Sequence, residues 1–485
     1  MQNDDKNENS YRSILKGTSI LGGVQIFQIL VNLVRGKFVA MFLGPDGMGV
    51  ASLFTSSSNT ISGVASLGLN LAFVKEVAAA KDNGERLATV MRVATTLLRM
   101  TAMLGALVCV LLSPWLSRWS FGSEQYAWQY MLLAVGVYLN VAAQGKTAML
   151  QGLHKIKILA YTSLVGAVTG LVAGVPLYYF FGTKGIVPAM IILSASTFAC
   201  YCYGLRKSAP DTKVRFRWSE HRPIVARMIL MGLILLASSI INTLCTYGIN
   251  IFVRAFGDLS DVGLFNAANS LTTQYAGVVF AAMAMDYFPR LSSAASDNAR
   301  MQTVINRQME IVALIATPMA LLLIATTPLI IRILLTSEFL CTGGLMRWLG
   351  VSVLLKALAY PLGYITYAKN NRRLFFWLEA IVCNALYIGF SLLFYNCFGL
   401  IGLGYAAVAE QGACLLIYLA VNYRVYGFRP DRAAAAQTVI AIVLGGAGFA
   451  FSLIPGNLVS YSLISCVILL SLAYSFIFLR KLRQK

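Results

Sequence analysis

Long apolar runs alternate with short polar connections along almost the whole chain. Fourteen such runs fall at 14–43, 47–73, 93–113, 126–145, 158–181, 185–205, 224–256, 262–286, 308–335, 344–368, 374–397, 401–423, 434–454 and 460–479. As a helix, each is long enough to cross a hydrocarbon layer of ~30 Å. The pattern predicts an all-α polytopic membrane protein with fourteen transmembrane helices. The first run is unusual inside. Gln25, Gln28, Asn32 and Arg35 stand at i, i+3, i+7 and i+10 among apolar residues. At 3.6 residues per turn they fall within about 80° of one another, on one face.

The same stripe recurs 214 positions later. Ser239, Asn242 and Thr246 stand opposite Gln25, Gln28 and Asn32, and Asn250 lies one place past the position of Arg35. At the same shift Gly49-Val50-Ala51-Ser52 meets Gly263-Leu264-Phe265-Asn266, and Thr55, Ser56, Asn59 and Gly63 meet Asn269, Ser270, Thr273 and Gly277. Each repeat unit holds six runs, an even number, so both units start from the same side. The repeat is therefore parallel, about an axis along the membrane normal. This gives a first lobe at 1–205, a basic cytoplasmic linker at 206–223, a second lobe at 224–426, and two extra helices with a tail at 427–485. A short piece around Val214–Trp218 is amphipathic enough to lie on a membrane surface. Polar groups facing lipid are costly, so a repeated polar stripe implies a wet cavity between two related halves. Small residues on the second run would also serve helix packing, so Ser52, Thr55, Ser56, Asn59 and Ser62 fit either a cavity wall or packing contacts.

Composition agrees. The chain is 58% hydrophobic and 12% charged, against roughly 25% charged in soluble domains. The net charge of +20 could suggest nucleic acid, but its distribution indicates topology. Lys and Arg crowd alternate connections, as at Lys75–Arg92, Lys146–Lys157, Arg206–Arg227, Arg290–Arg307, Lys369–Arg373, Arg424–Arg432 and Arg480–Lys485. The intervening loops hold Arg118, Lys184, Arg332 and Arg347. By the positive-inside rule both termini are cytoplasmic. Most of the nine cysteines fall inside runs without metal-ligand spacing, as small packing residues do. His154 and His221 lie in connections, which disfavours a histidine proton relay.

Charges inside the runs carry the functional argument. Arg35 completes the first stripe. Lys37 and Arg254 lie near outer ends and Arg99 two turns into its run, where each can snorkel. Lys356 and Glu410 are the most deeply placed, and Glu379 sits near an inner end; Lys356 and Glu410 either pair or serve a substrate. A basic residue at the bilayer centre costs ~2.5–3.5 kcal/mol on insertion scales, so it needs water, a counter-ion or a ligand. In the first lobe every Asp and Glu falls in an end or a loop. A cavity with arginine and amides but no carboxylate prefers an anion, and the guanidinium fork suits phosphate oxygens. The expected substrate-binding set is Gln25, Gln28, Asn32, Arg35, Asn59, Asn242, Asn250, Arg254, Asn266 and Lys356, with Glu379 and Glu410 as candidate coupling residues. No cofactor or metal is expected.

Three short stretches carry a resemblance. They are Phe42-Leu43-Gly44-Pro45-Asp46-Gly47-Met48-Gly49 beyond Arg35, Asp286-Tyr287-Phe288-Pro289-Arg290-Leu291-Ser292, and Pro361-Leu362-Gly363-Tyr364-Ile365 with Ala368-Lys369. With the fourteen runs, the chain resembles the O-antigen and enterobacterial-common-antigen translocase branch of the multidrug/oligosaccharidyl-lipid/polysaccharide exporter superfamily. The resemblance implies a two-bundle flippase of the bacterial inner membrane. It would move undecaprenyl-diphosphate-linked oligosaccharide from the cytoplasmic to the periplasmic leaflet by alternating access. The implied partners are that lipid-linked oligosaccharide, the bilayer, and polysaccharide polymerase and chain-length machinery, with a monomeric protein and no nucleic acid. Two alternatives stand beside it. A drug or cation antiporter of the same superfamily would want cavity carboxylates, which only Glu379 and Glu410 supply. A membrane polymerase or glycosyltransferase would need paired acids in sizeable loops, whereas Asp46, Asp258, Asp261 and Glu338 are isolated. No Walker motif is present, so the chain carries no P-loop for ATP.

Overall fold

The computed structural model describes residues 2–81, 83–208, 218–294, 297–369, 371–454 and 457–484. Every regular element among them is helical. That follows from the solvent, because a helix satisfies its backbone N–H and C=O groups within one segment. Eight segments among the described residues are long and apolar enough to cross a membrane. Three of these, Gly23–Ala65, Ile156–Lys207 and Arg373–Tyr426, run 43, 52 and 54 residues, enough for two passes each at ~20 residues per pass. Each is interrupted where a second pass would begin. Gly44 adopts φ 65°, ψ −169° just before Pro45, and 3₁₀ turns occupy Gly182–Gly185 and Gly399–Ile401.

Packing divides the chain into two compact units, Met1–Val262 and Gly263–Lys485. The first holds α1 (Gln2–Ala65, bent at Gly44), α2 (Leu69–Ala80), α3 (Gly84–Leu111), α4 (Ser113–Phe121), α5 (Ala127–Gly152), α6 (Ile156–Phe181), α7 (Ile186–Ser208) and α8 (Trp218–Phe256). Here α6 lies along α7, and α5 lies along both α3 and α7. Gly166 and Gly170 of α6 allow that close approach. A Cβ on Gly166 would come within 2.7 Å of Thr197, and one on Gly170 would collide with Leu193. The core around Phe54 is aromatic, with Phe121 and Tyr130 rings centred 5.1 and 5.0 Å from it.

Two local features depart from the sequence expectation. The run expected at 47–73 is not one helix, because Leu67 (φ 48°) and Gly68 (φ 64°) break it between α1 and α2. The break has a packing cause: Gly68 presses against the backbone of Gly232 on α8, where neither residue has room for a Cβ. The connection after the third run is also more than a bare loop, since it contains the nine-residue α4. The amphipathic piece expected around Val214–Trp218 falls outside the described residues, apart from the backbone of Trp218.

The unit boundary falls in the first turn of α9 (Leu259–Ala294). The second unit continues with α10 (Asn298–Leu334), α11 (Gly343–Ala368), α12 (Arg372–Phe375), a π-helical turn (Phe376–Val382), α13 (Cys383–Phe398), α14 (Gly402–Tyr426), α15 (Arg432–Ser452) and α16 (Asn457–Gln484). Its core gathers Leu291, Ile305, Leu354, Leu358, Leu362, Ile365 and Leu415. Around Pro361 of α11, two carbonyls take side-chain donors: Tyr287 donates to Pro361 O at 2.7 Å and Asn422 to Leu362 O at 3.0 Å. Both donors are buried, and the second lone pair of each helix carbonyl gives them an acceptor in a dry core. The two helices beyond the repeat, α15 and α16, pack on α10, and Arg347 of α11 caps α15 by donating to Ser452 O at 2.7 Å.

A packing test follows. Gly166→Val should destabilise the protein by ~1–3 kcal/mol through overpacking against α7, seen as a lowered Tm in detergent. Gly389→Ala, at a position with nothing within 4 Å, should leave Tm unchanged or slightly raised.

Candidate functional site

The polar stripe on α1 stays accessible within its unit. Gln25 and Asn32 are exposed, while Gln28 and Arg35 are half-buried. Arg35 stands within electrostatic reach of Tyr178 on α6. Farther along, Phe42 meets Tyr179 edge-on at 5.4 Å, which packs that part of α1, just before the bend at Gly44, against α6. Past the bend at Gly44, the hydroxyl-rich stretch of α1 divides into two faces. Thr55 and Asn59 are exposed, one turn apart. Ser57, Ser58 and Ser62 are buried and belong to the packing.

On α8 the second stripe divides in the same way. Ser239 lies outside the residues whose side chains are described. Asn242 and Thr246 are exposed, and the Thr246 hydroxyl donates to Asn242 O at 3.0 Å. Asn250 is 1% exposed and donates to Ser56 Oγ at 2.7 Å. Arg254 donates to the carbonyl of Phe121, the last residue of α4. Beside it Gly122 closes α4 in the left-handed region (φ 69°), and a Cβ there would run into the guanidinium. Between these two contacts runs a chain of four buried hydroxyls, Ser57, Tyr130, Ser120 and Tyr247, with successive O–O distances of 3.1, 2.8 and 2.7 Å. The C-terminal end of α8 is thus bound to α1 and α4 through polar groups, and through Ser120 to Tyr130 of α5.

In the second unit Lys356 of α11 is exposed, and its ammonium lies 6.0 Å from the centre of the Phe280 ring. Glu379 and Glu410 lie within its electrostatic reach, but no ion pair joins them to Lys356 among the described residues. Both carboxylates have neutral partners. Tyr418 donates to Glu379 Oε1 at 2.5 Å. Gln411 and Cys414 donate to Glu410 at 2.6 and 3.4 Å. Cys383 Sγ lies 3.1 Å from Cys414 Sγ and 3.3 Å from the Tyr418 hydroxyl. Glu379 sits in the π-helical turn, and Asn384 donates to the Glu379 and Ala380 carbonyls there. Single π turns recur at functional positions in helices. Asn266 is half-buried on α9.

Some of these partners carry a signal in the sequence. Glu410, Cys414 and Tyr418 recur every fourth residue, one face of α14. Glu379 and Cys383 are spaced alike. The hydroxyl chain gives no such signal, because its four members come from four separate helices, α1, α5, α4 and α8, and are individually ordinary in a membrane core.

The fold defines a class: a helical membrane protein with several segments long and apolar enough to cross a bilayer. Among solved structures the chain is similar to one titled "Lipid II flippase MurJ, inward closed conformation", with a TM-score of 0.71 at 15% identity, covering 96% of this chain and 99% of that one. It is also similar to an inward-facing multidrug resistance MATE family transporter of the MOP superfamily, with a TM-score of 0.69 at 16% identity, covering 82% of this chain and 94% of that one. A curated relative named Lipid III flippase, from Escherichia coli (strain K12), is 22% identical over 374 residues, 76% of this chain and 88% of its own length. Residues 38–342 match the family described as polysaccharide biosynthesis protein. The chain belongs to that family.

Two measurements probe the second-unit cluster. Mild oxidation should join Cys383 and Cys414 into a disulfide, seen as the loss of two maleimide-reactive thiols and of two mass units from the peptide pair. Because Lys356 and Glu410 form no ion pair, the charge swap Lys356→Glu/Glu410→Lys should fail to rescue the expression or stability lost in either single variant. Rescue would show that the two charges pair.

Proposed function

We propose that the protein is a flippase for undecaprenyl-diphosphate-linked oligosaccharide, an O-antigen or capsule repeat unit, moving it from the cytoplasmic to the periplasmic leaflet. The observation that carries this reading is the stripe Gln25, Gln28, Asn32 and Arg35, accessible on α1 in a half of the chain with no carboxylate inside any apolar run. An arginine among amides binds a diphosphate through its charge and fork, and sugar hydroxyls through the amides. Membership of the polysaccharide biosynthesis family and similarity to a relative named Lipid III flippase support it. Fourteen spans with both termini cytoplasmic, in the inner membrane, complete the reading, as two six-helix lobes in parallel repeat (1–205 and 224–426) and a two-helix appendage. The protein works as a monomer and hands its product to a polymerase.

In this account the diphosphate enters beside Arg35, and Gln25, Gln28, Asn32, Asn59, Asn242 and Asn266 meet sugars or ordered water. Lys356 supplies a second cation on the other lobe. Asn250 and Arg254 are left out of these contacts, because Ser56 and Phe121 already engage them. A ligand shifts a conformational equilibrium only by its differential affinity for the two states. The driving force therefore lies in product consumption, in membrane potential, or in an ion taken up at Glu379 or Glu410. Those two carboxylates and the likeness to a multidrug transporter favour a second reading, a cation-coupled drug antiporter. Export of cationic dyes by cells expressing the protein would support that reading instead.

Arg35→Ala should leave the protein in the membrane but abolish surface polysaccharide, with lipid-linked oligosaccharide accumulating on the cytoplasmic side. Arg35→Lys should retain part of the output, because charge persists and the fork is lost. Normal output from well-expressed Arg35→Ala contradicts the assignment.

A further inference from the structure

The helix α8 belongs to two groupings at once. By packing it is part of the first unit, lying against α1, α2, α3 and α4. By internal similarity it opens the second repeat, since Asn242 and Thr246 stand 214 residues after Gln28 and Asn32. If the two repeats move against each other, α8 cannot keep all of its bonds to the first. Its two halves are attached very differently. In the first half the contact is backbone on backbone, where Gly232 meets Leu67 and Gly68 without intervening side chains. In the other, 22 residues and roughly 33 Å along the axis, the attachment is polar: Arg254 on Phe121 O, Asn250 on Ser56, and Tyr247 on Ser120.

We propose that these three contacts form a releasable latch that holds the outer gate shut, with the glycine contact as the pivot, and that the latch opens once in each transport cycle. The inference rests on the alternating-access reading above. Hydrogen bonds suit this task. Each is weak in net terms, since water replaces the partner when the contact opens, whereas an interlocked apolar ridge would exchange its packing for exposed hydrocarbon. Arg254 fits the role of a clasp. Its fork engages the carbonyl that ends α4, at the negative pole of that helix, and Gly122 leaves the space for it to dock and leave. The four-hydroxyl chain adds cooperativity, because Tyr247 ends a buried series that reaches Ser57 through Tyr130. On this view Arg254 gates the path of the substrate without binding it.

The test is a staple across the latch in the full-length protein. Ser56→Cys/Asn250→Cys, in a Cys383→Ser background, places two thiols where the 2.7 Å hydrogen bond now lies. Oxidation should stop surface-polysaccharide output, and reduction should restore it, while the single-cysteine variants ignore the oxidant. Output that continues through a crosslink verified by mass overturns the latch. A second measurement does not need export. In a Cys341→Ser/Cys397→Ser background, the buried Cys245 on α8 is labelled with a membrane-impermeant thiol reagent from outside. Tyr247→Phe and Arg254→Gln should each speed labelling roughly three- to tenfold, the population shift expected from one lost hydrogen bond. Unchanged rates in both variants overturn the proposal. If the wild-type protein supports no export at all, the flippase reading fails, and the labelling rates still decide the latch.

Discussion

Hydrocarbon cannot hydrogen-bond, so each polar group this chain carries into the membrane needs a partner inside the protein or a route to water. The backbone meets that demand with regular elements that are all helical among the described residues. Near Pro361 and in the π turn at Phe376–Val382, side chains of Tyr287, Asn422 and Asn384 donate to backbone carbonyls. Polar side chains obey the same rule, and it sorts them into two kinds. Ser57, Tyr130, Ser120 and Tyr247 are buried and satisfied by one another. Gln25, Asn32, Asn59, Asn242 and Lys356 remain exposed within their own units and are the groups that water or a ligand must meet.

That sorting explains which parts of the protein the sequence could reveal. Apolar runs and the distribution of Lys and Arg are one-dimensional signals, and the helical class follows from them directly. The stripe on α1 is legible for the same reason: helix geometry alone places Gln25, Gln28, Asn32 and Arg35 on one face. The break at Leu67–Gly68 was not legible, because its cause is Gly232, distant in sequence. Nor was the fate of Arg254. Snorkelling and a cavity role both looked reasonable for a cation near a helix end, and the structure gives it a third occupation, the terminal carbonyl of α4. Cys383 and Cys414 looked like scattered packing residues until the pairing of α13 with α14 brought their sulfurs within 3.1 Å.

The two units therefore present polar groups of different character. The first offers an arginine and amides with no carboxylate in its apolar runs. The second offers Lys356 near two carboxylates that are bonded to neutral donors, Tyr418, Gln411 and Cys414. An anionic headgroup bearing sugars suits the first set. On the proposed reading, proton or cation uptake would draw on the second. Between the two groupings stands α8, packed with one and related by sequence to the other.

The account's central claim is that this chain carries a lipid-linked oligosaccharide across a bilayer, and the most direct measurement is transbilayer movement in vesicles. Purified protein would be reconstituted with undecaprenyl-diphosphate oligosaccharide confined to one leaflet, and the fraction reaching the other would be read with an impermeant sugar-modifying enzyme. The account predicts protein-dependent transfer that Arg35→Ala removes. Transfer no faster than in protein-free vesicles, from a folded and correctly inserted protein, contradicts it.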